Sequence, residues 1–373
     1  MAGVLRVGIL GAGGIAREHA IGWRASAPRA EIVAVADVSQ PRAQDFSEKF
    51  TGGRARIYEG IAALVADPDV DAVDICLPHH LHTEAIVAAA RAGKAILCEK
   101  PLCTSLEDAS VIAEALRETG VRFVMAHNQL FQPCLLEARR LLTNGTMGRR
   151  FVLRSIEAFQ HPETAGKPSD STLPPGESPW AWRADLARMG GGELLDTGWH
   201  ASYRLLALAD DRPVEVVAMT DRYYVPGLSA EDTGLVLVRF ASGAIGQIIT
   251  SWAFDTVGNW HFEVMAERGT LAGSETRLVH QLHGWQSPAE ERFEQVHTFT
   301  AEISHFLDVV QRGAPTLATF ESAARVLQMT KAAYRSVTER RVMVLPDDPL
   351  AAPVPAERER SAEAASSIEV AGG

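Results

Sequence analysis

Two short segments carry side chains able to move protons. Cys98-Glu99-Lys100-Pro101 ends an apolar run with an ammonium beside a carboxylate, and Pro101 biases Lys100 toward extended backbone. Gly190-Gly191-Gly192-Glu193-Leu194-Leu195-Asp196-Thr197-Gly198-Trp199-His200 sets Asp196 and His200 four apart. On a helix the two would share one face. An imidazole exchanges protons near neutral pH, while a lysine ammonium stabilises a developing oxyanion or, with a depressed pKa, acts as the base. The plain alternatives are a satisfied helix pair for Asp196 and His200, and a solvated lysine after a strand for Lys100.

A different segment suits an anion. Val7-Gly8-Ile9-Leu10-Gly11-Ala12-Gly13-Gly14-Ile15-Ala16 fits G-x-G-x-x-G/A, with Gly11, Gly13 and Ala16 at the small positions. Such spacing permits a tight turn, close approach of backbone to a pyrophosphate, and close packing of helix on strand. Asp37 stands 24 residues after Gly13 at the end of the next apolar run. A carboxylate there accepts from a ribose 2′-OH and repels a 2′-phosphate, so NAD is expected, with Ser39 and Arg42 leaving NADP possible. His79-His80-x-His82 invites a metal reading, but ligands so close on one loop separate poorly and no cysteine or carboxylate stands directly beside them. No metal is expected, and the loop reads as a cofactor contact.

These residues need a scaffold. Over residues 1–128, strand-like runs at 5–10, 31–36, 72–77, 95–98 and 121–125 alternate with helical stretches such as 15–25, 81–92 and 106–118. That alternation indicates βαβ units and a parallel, Rossmann-type sheet. After Asn128 a helix at 133–142 is followed by strand-like runs at 150–159, 214–224, 234–240, 244–252 and 261–266, with helices resuming at 300–311 and 320–338. Residues 129–348 therefore read as an α+β domain with a large, mostly antiparallel sheet. Residues 161–178 hold six prolines and glycines and read as a long loop, of a length uncommon unless functional or mobile. Residues 349–373, rich in Ala, Glu, Ser and Pro, read as a disordered tail.

Composition narrows the class. The 373 residues are 46% hydrophobic and 22% charged, enough apolar content for a sizeable core. A net charge of -11 opposes binding to nucleic acid or an anionic bilayer. No run reaches the roughly 18 apolar residues of a spanning helix, and the N-terminus leads straight into the glycine motif, so a cytoplasmic location is expected. Cys76, Cys98, Cys103 and Cys134 show no CxxC pair and read as free structural thiols.

With these motifs in order along the chain, the sequence resembles the Gfo/Idh/MocA oxidoreductases, named for glucose-fructose oxidoreductase and inositol dehydrogenase. The markers are the GAGGIA turn, the 77–82 loop, AGKAILCEKPL, His127-Asn128, Trp182-Arg183 and GGGELLDTGWH, spanning residues 4 to about 345. The resemblance implies Lys100, Asp196 and His200 as the catalytic set. It implies cofactor contacts at Gly11, Ala12, Gly13, Gly14, Ile15, Asp37, Leu77, Pro78, His79, His82, Glu99, Lys100, Asn128, Trp182, Arg183 and Tyr334. A sugar, polyol or glycoside substrate is implied, with a homodimer or homotetramer built through the open sheet face. Gln129-Leu130-Phe131 departs from the family, many of whose members carry an arginine there.

Hydride transfer from an alcohol needs a base and a positive donor at the oxygen. His200 and Lys100 meet those needs with the base left open between them, and Asp196 is expected to hold the imidazole tautomer. His161, Trp180, His280, His283 and Trp285 are further candidates for a sugar pocket. Two other functions compete with this one: NAD-dependent glycoside cleavage through transient oxidation, and a nucleotide-binding regulator of the same architecture without turnover, against which the intact Lys100, Asp196 and His200 set argues.

Overall fold

Residues 3–160, 182, 183, 185–225 and 227–356 are described by a computed structural model. The expected loop at 161–178, His161 and Trp180 lie outside them.

The first half alternates strand and helix: β1 (Leu5–Leu10), α1 (Gly14–Ala25), β2 (Ala30–Ala36), α2 (Gln40–Thr51), β3 (Arg56–Tyr58), α3 (Ile61–Val65), β4 (Ala72–Ile75), α4 (His82–Arg91), β5 (Ala95–Glu99), α5 (Leu106–Thr119) and β6 (Phe123–Ala126). The strands form a parallel sheet in the order β3-β2-β1-β4-β5-β6. Strands β1, β4 and β5 are almost wholly buried, which is why they read as continuous apolar runs. The order reverses between β1 and β4, and the crevice beyond the carboxyl ends of the strands there is the ligand position of such sheets.

The second half continues with α6 (Pro133–Thr143), β7 (Arg150–Ala158), α7 (Leu186–Met189), α8 (Gly198–Ala209), β8 (Pro213–Asp221), β9 (Thr233–Phe240), β10 (Ile245–Ser251), β11 (Phe262–Ala266), β12 (Gly269–Gly273), β13 (Arg277–Leu282), β14 (Ala289–Arg292), α9 (Thr298–Arg312), α10 (Phe320–Glu339), β15 (Met343–Val344) and β16 (Val354–Pro355). Ten strands form one sheet, ordered β14-β13-β12-β11-β7-β10-β9-β8-β15-β16. Every pair is antiparallel except β7 with β10. Along β9 the side chains alternate, with Val236, Val238 and Phe240 buried and Leu235 and Leu237 exposed. One face therefore joins the core while the other is open.

Two features depart from the sequence reading. Helix α9 comes from the second half of the chain yet packs on α1: Ile303 Cδ1 would lie 2.6 Å from a Cβ placed on Gly22, the Trp23 and Phe306 rings meet edge to face at 5.9 Å, and Arg29 donates to Asp308 at 2.7 Å. Residues 298–312 thus belong by packing to the nucleotide half. Order also extends beyond residue 349, because β16 pairs with β15, Val354 opposite Val344. The rest of the expected tail, 357–373, lies outside the described residues. Among those described, no helix is long and apolar enough to cross a membrane.

Candidate active site

The glycine turn has the form a pyrophosphate needs. Gly11 adopts φ +91°, and a Cβ there would lie 2.5 Å from the Cys76 carbonyl, so strain and contact both demand glycine. Gly13 and Gly14 face open space, and α1 begins without a side-chain cap or an acidic residue in its first turn. Its N–H groups are therefore available to an anion. Asp37 accepts from the Ala12 N–H at 2.9 Å and the Ser39 N–H at 2.8 Å, with Arg42 at 3.4 Å. The carboxylate thus braces the turn from the end of β2, where a ribose would lie. These residues fit a dinucleotide.

Beside this turn, the two halves of the chain meet at Asp196. Lys100, just past β5, donates to Asp196 Oδ1 at 2.5 Å and to the Asp196 carbonyl at 3.1 Å. Arg183 Nε donates to Oδ2 at 2.5 Å, and His79 Nε2 stands 3.8 Å from Oδ1. Burial disfavours charge on Asp196, but Arg183, Lys100 and His79 outweigh it and hold the carboxyl well below the usual range. The indole of Trp182 lies between the Arg183 guanidinium, 4.1 Å from it, and the His79 ring, 4.6 Å away.

Asp196 and His200 would share a face only if one helix carried both, and the structure starts that helix at Gly198. Asp196 lies in the turn before α8, spent on Lys100 and Arg183, while His200 sits in the first turn of that helix. The partner of His200 Nδ1 is the Tyr203 hydroxyl at 2.7 Å, leaving Nε2 as the other ring nitrogen. Tyr203 is in turn fixed by the Gln129 N–H at 3.3 Å and by stacking on His127 at 4.1 Å. Burial, with Lys100 and Arg204 nearby, pushes the His200 pKa well below 6.5, so the ring is neutral at physiological pH. Tyr203, not Asp196, orients this imidazole. An aromatic residue three positions after His200 was the only sequence signal for it.

The other expected contacts divide by geometry. Leu77 and Pro78 are half-buried at the mouth of the cleft, and His79 anchors its loop through Nδ1 to the Met189 carbonyl at 3.0 Å. His82 is corrected as a cofactor contact: it is fully buried, and its ring nitrogens are spent on the carbonyls of Pro101 at 2.7 Å and Leu77 at 2.8 Å. It clips the 77–82 loop to the bend after Lys100, and with His79 bonded elsewhere these rings do not converge as metal ligands. Glu99 accepts from the Lys100 N–H at 3.0 Å. Asn128 donates to Thr298 at 3.0 Å on the wall of a polar cavity. The Tyr334 hydroxyl is committed to Glu231 and to the Gly192 N–H, so it braces the triglycine segment and leaves only its ring for a cofactor. His280 and Trp285 pack on each other at 5.6 Å on β13 and the turn after it.

Unforeseen in the sequence, two carboxyls, Glu193 buried and Glu231 half-buried, shape the turn that carries Asp196. Glu231 accepts from the Leu194 N–H at 3.1 Å, and Glu193 accepts from the hydroxyls of Thr197, at 2.6 Å, and Thr250. Gly190, at φ +83°, starts this segment against Thr104.

A glycine turn braced by the Asp37 carboxylate, together with the Lys100 ammonium and the neutral His200 imidazole, defines the class: a dinucleotide-dependent oxidoreductase site on a Rossmann domain. Comparison with known families agrees. Residues 5–127 match the oxidoreductase family with NAD-binding Rossmann fold, and residues 135–272 match the GFO/IDH/MocA C-terminal domain. The chain belongs to this family. It is 33% identical over 270 residues to 1,5-anhydro-D-fructose reductase of Ensifer adhaerens, covering 72% of this chain and 75% of that one. Myo-inositol 2-dehydrogenase of Thermotoga maritima is 27% identical over 354 residues, covering 91% and 98%. Among solved structures, GenD2 from gentamicin A biosynthesis, in complex with NAD, superposes with a TM-score of 0.77 at 26% identity, covering 93% of this chain and 97% of that one.

Burial pushes the Glu193 pKa well above the ordinary carboxyl value. The folded state therefore holds this proton more tightly than the unfolded chain, and stability falls as pH rises from the unfolded value near 4.3 toward the folded one. Urea unfolding at pH 5 and pH 8 is expected to show a smaller loss of stability at the higher pH in Glu193→Gln than in the unmodified protein.

Proposed function

We propose that the protein is an NAD-dependent dehydrogenase or reductase that interconverts a secondary hydroxyl and a ketone on a sugar, inositol or related polyol. The observation that carries this reading is the meeting of Lys100 from the nucleotide half with Asp196 from the other half, with His200 a turn further on. The names of the relatives support the substrate class: an anhydrofructose reductase and an inositol dehydrogenase.

Gly11 to Ile15 and Asp37 would hold the dinucleotide, and bound NAD would supply the hydride acceptor. The remaining chemistry belongs to the chain. As the carbinol C–H bond breaks, the substrate O–H proton passes to Nε2 of neutral His200 and a C=O bond forms. Lys100, paired with the ionised Asp196, serves as the donor to the oxygen while negative charge develops on it. This assigns the base to His200 and the electrostatic role to Lys100. Arg183 and Trp182 keep Asp196 dry and charged.

Assembly into a homodimer or homotetramer through the open sheet face is supported by the strand register. The pairs Met219–Leu235, Leu235–Ile249 and Ile249–Ile156 place four apolar side chains in one row across β8, β9, β10 and β7. Leu235 is 45% and Met219 79% exposed in the single chain, more than a solvated sheet face needs. The four buried free thiols suit a reducing compartment such as the cytoplasm.

NADH formation with NAD and myo-inositol, scyllo-inositol or levoglucosan, and NADH consumption with 1,5-anhydro-D-fructose, test the activity. Lys100→Ala and His200→Ala are each expected to lower turnover roughly a hundredfold, with NAD affinity changed by no more than about threefold; unchanged turnover in both would refute the assignment. Because His200 is neutral well below pH 6.5, kcat/KM should stay flat through pH 6.5. Asp37→Ala should narrow the preference for NAD over NADP, read from the two Michaelis constants. Light scattering should give a multiple of the 40.3 kDa chain, and Leu235→Asp should reduce it to the single chain.

A further inference from the structure

Beneath the cofactor turn lies a buried polar cluster that the mechanism above does not use. His19 projects from α1 into the space between β4, β5 and α9 and is fully buried. Its Nδ1 meets Asp74 at 2.9 Å and its Nε2 meets Glu99 Oε1 at 2.9 Å. Trp23, one turn further along α1, donates to Asp74 at 2.7 Å. From α9, Glu302 brings an oxygen to 4.0 Å from His19 Nε2 and the Phe299 ring packs at 5.3 Å. Cys76, just past β4, completes the surroundings at 3.6 Å from Asp74.

A carboxylate offers only acceptors, so a ring that faces one from each nitrogen carries hydrogen on both. Burial alone would remove that charge, but the Asp74 carboxylate outweighs it and holds the ring protonated well above pH 6.5. Among the described residues Glu302 has no hydrogen-bond partner for either oxygen, and burial pushes its pKa well above the ordinary carboxyl value, which favours a neutral acid beside the charged ring. His19, Asp74 and Cys76 bring metal-ligand atoms within 4.8 Å of one another, yet protons already satisfy the ring and the carboxylate it meets.

This cluster leads to the reacting lysine. Lys100 follows the last paired residue of β5, Glu99 opposite Ala126, and Pro101 after it has no N–H to offer. The Lys100 N–H is held by Glu99 Oε2 at 3.0 Å, while Glu99 Oε1 is held by His19. We infer that His19 is a positioning residue: donating from both ring nitrogens, it ties Asp74 of β4 to Glu99 of β5 and, through Glu99, fixes the peptide from which Lys100 reaches the substrate oxygen. Misplacing a reacting group by about 1 Å costs on the order of a hundredfold in rate, so a rigid anchor at this peptide bears directly on turnover. The kinetic part of this inference rests on the function proposed above; the structural part does not.

The sequence permits a direct test. Glu48-Lys49 and Glu99-Lys100 are the only Glu-Lys pairs in the chain. Protein labelled with carbonyl-13C glutamate and 15N lysine therefore gives two carbonyl-filtered amide peaks, with Lys49 as an internal reference. His19→Gln should move the Lys100 peak and leave Lys49 in place. Trp23→Phe, which removes a different bond to the same Asp74, should lower the melting temperature yet leave the Lys100 peak in place. With a turned-over polyol from the panel above, His19→Gln should lower kcat tenfold or more while the KM for NAD changes by no more than about threefold, and Trp23→Phe should keep kcat within about twofold. Should His19→Gln not fold, Asp74→Asn loosens the same bridge from its other end and is held to the same outcomes. An unmoved Lys100 peak, equal movement in both variants, or a moved peak with unchanged kcat overturns the inference. If no polyol is turned over even by the unmodified protein, the functional proposal fails, and the Lys100 peak alone decides the positioning role.

Discussion

A buried carboxylate, Asp196, ties Lys100 of the nucleotide half to Arg183 of the other half. Asp196 has no exposed surface, and an ionised carboxyl in such a place is costly unless opposite charges and hydrogen bonds compensate it. Lys100 supplies one of those charges from the end of β5, and Arg183 supplies the other from the second half. Removing one partner from a buried pair costs roughly 3–5 kcal/mol, so this constraint holds the domains in one relation. In the mechanism proposed above, the same contact would also set the Lys100 ammonium beside the reacting oxygen.

Polar groups on either side keep that carboxylate in place. On the nucleotide side, the Asp74, His19 and Glu99 bridge runs under the glycine turn to the Lys100 peptide, and His82 clips the bend that follows it. On the other side, Glu193, Glu231 and Tyr334 hold the glycine-rich turn from behind. Their burial raises the pKa of the two carboxyls and of the tyrosine hydroxyl, so each holds its proton more tightly than the same group would in water. Hydrogen bonding behind the turn and ionic pairing in front of it divide the work of shaping the site.

Helix α9 makes the nucleotide half depend on the whole chain. It covers α1 and brings Glu302 and Phe299 against His19. Only glycine at position 22 lets the two helices approach so closely, since a Cβ there would press on Ile303 and the Phe299 carbonyl. A separately expressed residue 1–128 segment would therefore expose the apolar face of α1 that α9 covers.

The sequence by itself determined the parts whose cause is local. Continuous apolar runs marked the buried parallel strands, the spacing of Gly11, Gly13 and Ala16 marked the turn, and Asp37 followed at the end of β2. The family resemblance implied Lys100, Asp196 and His200 as the catalytic set, and the structure brings Lys100 onto Asp196 with His200 a turn further on. Short or polar elements escaped: β3 has three residues, α2 buries only Ala43, Phe46, Ser47 and Thr51, and β12 to β14 carry glycines and charges in place of an apolar pattern. Only the tertiary structure decided which groups pair. Asp196 chose Lys100 and Arg183 over a histidine four residues away, Tyr203 took that histidine, and His19, unremarked in the sequence, met carboxylates 55 and 80 positions distant. Hydrogen bonds and ion pairs act over a few ångströms in space, and spacing along a chain reports those distances only while the chain stays within one helix or one turn.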